Sequence, residues 1–353
     1  MAKTHSHKGR GATLSPDNRY SQTQREAFDD GWYQDELPEQ VPTRLFVDSA
    51  KKVITYNQSP DVPFDRSINP YRGCEHGCVY CFARPTHAYL DLSPGLDFET
   101  RLFHKPDAPE LLLQELAKAN YRCAPIALGI NTDAYQPVER DLGLTRRILE
   151  ILVAHKHPLS IVTKSALIER DIDLLAAAAG QRLAHVAVSI TTLDRHLSRR
   201  MEPRAAAPQR RLDVVKRLTA AGIPVTVLIA PLIPVLNDSE LETLLVAARE
   251  AGAVAAGYVV LRLPHELDQL FWDWLQTHTP TKAEHVMRRI RDLRGGKNYD
   301  AAFGTRMRGS GVFADLVSRR FTLAYRKLAF PGGAALRSDL FIKPRLDGQL
   351  DLF

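Results

Sequence analysis

Three of the four cysteines in the chain, Cys74, Cys78 and Cys81, stand in one short stretch, YRGCEHGCVYCFARP, between Tyr71 and Pro85. Thiols gathered in this way can form disulfides, hold a zinc ion or carry an iron–sulfur cluster. Disulfide scaffolds are short, cysteine-dense chains with an even count at dispersed spacings. Here four cysteines serve 353 residues, and two of the clustered three would have to pair across a two- or three-residue gap. A structural zinc ion closes its shell with four ligands, and His76 or His87 could supply the fourth, so zinc stays open. A 4Fe–4S cluster usually takes four thiolates. With three, one iron keeps a coordination position for a group that is not protein.

The elements that must hold these thiols are legible around them. From Ser67 onward, short runs dense in Val, Ile and Leu alternate with amphipathic stretches. The strand candidates are Ser67–Pro70, Ile126–Asn131, Leu159–Thr163, His185–Ile190, Val225–Ala230 and Ala255–Leu261. Most lack strict polar alternation, as expected of strands buried on both faces. Between them lie helical patterns such as APELLLQELAKANY, RDLGLTRRILEILVAHK, QRRLDVVKRLTAAG and SELETLLVAAREAG; two close with Gly just past the apolar pattern. Successive strand–helix units imply a parallel α/β architecture. A full eight-unit barrel takes about 250 residues, so the shorter length here predicts a partial (β/α)6 TIM-like barrel, with a doubly wound open sheet as the alternative. In either case ligands bind at the C-terminal ends of the strands, and the cysteines directly follow the first strand. Beyond Pro264 the pattern is purely helical. The expected organisation is a disordered tail over residues 1–40, the partial barrel over 41–264, a basic helical segment over 265–345 and a flexible tail over 346–353.

Composition narrows the class further. The chain is 44% hydrophobic and 25% charged, with a net charge of +6, ordinary for a globular protein. The opening MAKTHSHKGRGATLSPDNRY has no apolar core, so no secretory signal is expected. The longest apolar run, Val225 to Leu236, is interrupted by Pro231 and Pro234 and falls short of the ~20 residues of a membrane helix. A cytoplasmic protein with reduced thiols and no membrane partner is expected. Charge is unevenly spread: twelve basic residues between Thr281 and Lys327 face four acidic ones, so that stretch is +8 and the remainder −2. A solvated helical surface is the plain reading, and a polyanion such as nucleic acid is the functional one.

Tyr80, one residue before Cys81, completes the pattern C-x3-C-x-aromatic-C in the loop after strand one. The stretch from Ser67 to Pro264 thereby resembles the radical S-adenosylmethionine (SAM) superfamily. Within it the chain is most similar to the spore photoproduct lyase branch and its DNA-repair-photolyase-like relatives. The closer likeness rests on IVTKSALIERD, VAVSITTLDRHLSRRMEP and GIPVTVLIAPLIP. The resemblance implies a 4Fe–4S cluster on Cys74, Cys78 and Cys81 and SAM bound through its amino and carboxylate groups to the open iron. One electron then cleaves SAM to methionine and a 5′-deoxyadenosyl radical, which abstracts hydrogen from substrate. The same likeness assigns cofactor contacts to Tyr80, to Thr132 and Asp133 in GINTDAYQPVE at the methionyl ammonium, to Lys164 at its carboxylate, and to Ser189; Glu202 and Arg211 are weaker candidates. It further implies an electron donor such as a flavodoxin.

The lyase resemblance implies a lyase-type, DNA-repair reaction on nucleic acid; RNA, protein or a small molecule is the alternative substrate, and a non-enzymatic iron–sulfur DNA-binding module the alternative role. One departure stands out. Where the lyase carries its hydrogen-returning cysteine, this chain aligns Ile130. Cys123 precedes strand two and so falls roughly 20–30 Å from its C-terminal end; it reads as a buried small hydrophobe. Finally, QLDLF at Gln349–Phe353 resembles the bacterial sliding-clamp-binding motif, with Gln349, Leu350, Leu352 and Phe353 at its informative positions.

Overall fold

A computed structural model describes residues 7–21 and 41–345. Six parallel strands form the frame: β1 (Arg66–Ile68), β2 (Ile126–Leu128), β3 (Leu159–Thr163), β4 (Ala184–Ser189), β5 (Val225–Leu232) and β6 (Ala255–Val260). Each pairs in parallel with the next, so spatial order follows chain order. A doubly wound sheet would reverse direction at a switch point; the monotonic order is that of a partial barrel. Ile54–Tyr56 adds an antiparallel edge to β1 and makes the sheet seven-stranded.

Helices α1 (Ala108–Ala117), α2 (Leu144–Ala154), α3 (Ile172–Ala179), α4 (Pro208–Ala220) and α5 (Leu241–Glu250) connect successive strands. Their apolar faces, Leu112, Ile148, Leu175, Val215 and Leu245 among them, share one core with Ile126, Ile161, Val186 and Val227. The strand ends therefore rise from a packed layer, which fixes the polar residues that terminate them. A second sheet of Arg44–Val47, Arg101–His104 and Tyr71–Arg72 flanks the cysteine loop, which leaves its last strand directly. These strands are too short and too exposed to show an apolar period in the sequence.

Both ends of the described chain pack onto the barrel. Within the expected N-terminal tail, residues 7–21 lie on the folded body rather than apart from it. The backbone N–H groups of Gly11 and Ala12 donate to Glu99 at 2.9 and 2.8 Å, Thr13 donates to Asp273, and Arg19 pairs with Glu266. Every partner is distant in sequence, so the segment's polar composition concealed its docking. The basic helical segment is likewise integral. Helices α6 (Leu267–His278) and α7 (Pro280–Asp292) bury Phe271, Trp274, Val286 and Ile290 against Val79, Tyr80, Leu197 and Met201. Helix α8 (Val312–Lys327) sets Phe321 4.9 Å from Tyr258 of β6.

The open side of the barrel is bridged. Asp61, in the loop before β1, accepts from the Gly304 N–H at 2.8 Å and pairs with Arg306, while Met307 accepts from the Val260 N–H of β6. One ion pair thus ties the first edge of the sheet to the last. Among the described residues no helix is long and apolar enough to cross a membrane. Residues 1–6 and 22–40 of the expected tail, and residues 346–353 with the QLDLF motif, lie outside the described residues.

Candidate active site

The cysteine loop follows Tyr71–Arg72 and is pinned from both sides. The Gln136 side chain accepts from the Glu75 N–H at 2.9 Å and donates to the Gly73 carbonyl at 3.2 Å. Arg84, fully buried, donates to the carbonyls of Gly77, Cys78, Pro94 and Gly95 and pairs with Glu99. Buried carbonyls without donors are costly; one planar guanidinium satisfies four of them and fixes the loop's path. Gly73 and Gly77 adopt positive φ, and a Cβ on Gly73 would meet Leu102 at 2.6 Å, so both turns require glycine.

Cys74, Cys78, Cys81, Tyr80, Asp133, Lys164 and Ser189 line one cavity of about 290 Å³ at the C-terminal ends of β1–β6. Of the residues considered for the cluster and SAM, Thr132 and the weaker candidates Glu202 and Arg211 do not line it. The Thr132 side chain is buried and donates to the Tyr71 carbonyl at 2.9 Å. Its role is to brace the strand leading into the cysteine loop. Ile130 lines the cavity and Cys123 does not. A larger depression of about 590 Å³, bordered by Arg195, Gln209 and Lys216, carries none of the cysteines.

The cavity's charges are arranged in two buried sets. Asp133 accepts from Thr163 Oγ1 at 2.7 Å and from the backbone N–H groups of Tyr135 and Lys164, and its Oδ2 lies 3.4 Å from His76 Nδ1. Burial opposes its charge, but His76 and these donors outweigh burial and hold its pKa at about 2. Glu202, also against burial, is held at about 2 by Arg211 and Lys164. It accepts from Arg211, Tyr80 and Thr191. Glu202 and Arg211 therefore pair with each other and act through Tyr80, whose ring lies 5.8 Å from Lys164 Nζ. Lys164 Nζ has no hydrogen-bond partner among the described residues. Burial works against its ammonium, yet the Cys78 sulfur and Glu202 raise its pKa.

Cys74, Cys78 and Cys81 share one cavity. Burial pushes Cys74 and Cys78 up, Cys78 to about 12. Among the described residues no three His, Cys, Asp or Glu side chains converge on one point as zinc requires. His87, one possible fourth ligand, gives its Nε2–H to the Arg101 carbonyl at 3.0 Å and has a buried Nδ1 with no partner among the described residues. Cys74, Cys78 and Cys81 are the residues that would hold a 4Fe–4S cluster, which would supply one-electron chemistry at this cavity. Sequence reasoning missed Arg84, Glu99, Gln136, Phe82 and Arg262. Only Arg84 left a signal, a charged residue inside an otherwise apolar CVYCFARP.

This geometry, a six-strand partial barrel with three thiols after its first strand, defines a class, and comparison with known proteins gives it a name. The family model of the Radical SAM superfamily matches residues 68–248. An uncharacterized protein of Mycobacterium tuberculosis is 40% identical over 234 residues, covering 66% of this chain and 68% of the relative. Another from Methanocaldococcus jannaschii is 31% identical over 191 residues, covering 54% and 68%. The chain belongs to the radical SAM superfamily and is a radical SAM enzyme. Its fold is similar to spore photoproduct lyase complexed with dinucleoside spore photoproduct, with a TM-score of 0.57 over 82% of this chain and 80% of that one at 13% identity. A lyase variant with bound AdoMet gives the same TM-score and coverage at 14% identity. The family implies SAM and a 4Fe–4S cluster as cofactors.

Proposed function

We propose that this enzyme binds its cluster through Cys74, Cys78 and Cys81, takes SAM between Asp133 and Lys164, and acts on nucleic acid, DNA foremost, in a repair-like reaction in the cytoplasm. The observation that carries the cofactor assignment is the convergence of the three thiols with Lys164, Asp133 and Ser189 in one cavity. When bound, the cluster supplies one electron for reductive cleavage of SAM.

The chain's own residues then have distinct tasks. Lys164, charged and without a hydrogen-bond acceptor, offers its ammonium to the methionyl carboxylate. Asp133, kept ionised by its donors, places negative charge toward the methionyl ammonium. Ser189 donates to the Ala230 carbonyl at 3.0 Å and presents its oxygen to the cavity. Tyr80, tied to Glu202, walls the thiols from the core. An electron donor such as a flavodoxin completes the cycle.

The nucleic-acid reading is supported by the fold likeness to a lyase with a dinucleoside bound and by the positive charge of residues 281–327. That charge is partly internal: Arg320 pairs with Glu242, Arg306 with Asp61, and Arg294 is buried. Exposed Arg288 remains to meet phosphates, beside Arg289 and Arg291, whose surface pairs with Asp292 and Glu284 can open to do the same. With Ile130 where the lyase has its cysteine, the reaction proposed is repair-like and not spore-photoproduct reversal by that cysteine. Anaerobic turnover with deuterated DNA, RNA and peptide substrates tests the reading. Deuterium in 5′-deoxyadenosine from DNA is expected; deuterium from RNA or peptide alone would overturn it.

A further inference from the structure

The cavity has a second cationic pole that the SAM assignment does not use. Arg262 follows β6 and lines the cavity three strands away in the sheet from Lys164. Among the described residues no carboxylate pairs with its guanidinium: Nη1 approaches the Met307 sulfur at 3.8 Å and Nη2 the Tyr299 hydroxyl at 3.3 Å. Nε is buried with no partner. Arg294, a second guanidinium with an orphaned Nε, sits close enough that its charge is disfavoured first by burial and then by Arg262. Leaving such donors unpaired is costly, and a planar fork of donors matches an oxyanion bidentately.

An aromatic surface adjoins this pole. Phe82, next to Cys81, is 41% exposed, and the Arg262 guanidinium lies 5.3 Å from its ring centroid; Phe64 lines the same cavity. The two residues flanking Cys81 thus serve different cations. Tyr80 is buried beside Lys164, and Phe82 is exposed beside Arg262.

Resting on the nucleic-acid reading above, we propose that Arg262 receives a substrate phosphate while Phe82 supports an adjoining base, making this side of the cavity the nucleotide subsite. A phosphate satisfies the orphaned Nε and takes the place of weak sulfur and hydroxyl partners, and a base finds the exposed ring. The SAM carboxylate is the other available oxyanion, and the experiment separates the two.

The test is anaerobic phenylglyoxal labelling of the cluster-loaded wild-type protein, with the modification rate of each arginine read by peptide mass spectrometry. Exposed Arg182 serves as internal reference. Thymidylyl-thymidine should slow modification of Arg262 at least tenfold, and inorganic phosphate should do so at higher concentration. Protection by phosphate with none from DNA or RNA dinucleotides would keep Arg262 as a phosphate site and sink the nucleic-acid reading. Dinucleotide binding, followed by calorimetry, without protection of Arg262 would overturn the subsite and leave that reading standing. Protection by SAM but not by methylthioadenosine would assign Arg262 to the methionyl carboxylate, also overturning it. As a second readout, Arg262→Gln should weaken thymidylyl-thymidine tenfold or more while leaving its uncharged methylphosphonate analogue unchanged; equal loss of both contradicts the proposal.

Discussion

Lys164 occupies a position where charge is expensive unless a ligand shares it. It is half-buried beside Cys78 and Glu202, and its ammonium has no hydrogen-bond acceptor among the described residues. Lys164→Ala should remove a charge-assisted contact of about 1.5–3 kcal/mol, a roughly 10- to 150-fold rise in the Kd for SAM. Iron content should be unchanged, and equilibrium dialysis of the loaded protein measures the difference. Acid should destabilise the fold through buried groups at several places. Burial lowers His87 and His157 to about 4, and Asp133 and Glu202 are held at about 2. The unfolded chain therefore binds more protons, first below pH 6.5 and then below about 4.5, so stability falls as pH drops through both windows. A melting temperature that stays flat from pH 7 to 4 would contradict these shifts. Cys74, Cys78 and Cys81 were legible from their spacing after the first strand, and Lys164, Asp133 and Ser189 only through the family resemblance at successive strand ends. Thr132 was misjudged because neighbouring residues in a turn face different ways. Arg262 and Phe82 were invisible because one charge after a strand looks like any solvated arginine.

At the scale of elements, the six barrel strands were readable from their Val, Ile and Leu density, and the observed strands overlap the expected ones throughout. The N-terminal strap was not, because its partners lie far away in the chain. Its contact with the cysteine loop is intimate: a Cβ on Gly11 would fall 1.8 Å from the Gly77 carbonyl oxygen. Gly11→Ala must therefore displace either the strap or the loop, and overpacking of this kind costs about 1–3 kcal/mol. The variant should lose its cluster colour several-fold faster in air while keeping its far-UV circular dichroism. Bleaching at the wild-type rate would show that the strap does not shelter the loop. Asp61→Asn tests the bridge across the open barrel; with the Arg306 pair weakened, local exchange of the 300–307 amides should rise, and unchanged protection would mean the pair carries little.

For the whole molecule, the basic excess of residues 281–327 was plain in the sequence, but its use was not. The structure shows Arg294, Arg306 and Arg320 spent on internal partners, and Arg289 paired with Asp292 at 3.3 Å on the surface. Neutralising Arg288, Arg289 and Arg291 together should weaken DNA binding and flatten its log–log salt slope by about one per lost phosphate contact. An unchanged slope would move the DNA path to another face.

The measurement closest to the central claim is release of 5′-deoxyadenosine and methionine from SAM by the anaerobically reconstituted, chemically reduced protein, alongside iron and sulfide analysis. The wild type should hold about four iron and four sulfide per chain and release both products. Cys74→Ala, Cys78→Ala and Cys81→Ala should do neither, and Cys123→Ala should behave as wild type. One tightly held zinc in place of iron, or SAM cleavage that survives loss of Cys78, would contradict the account.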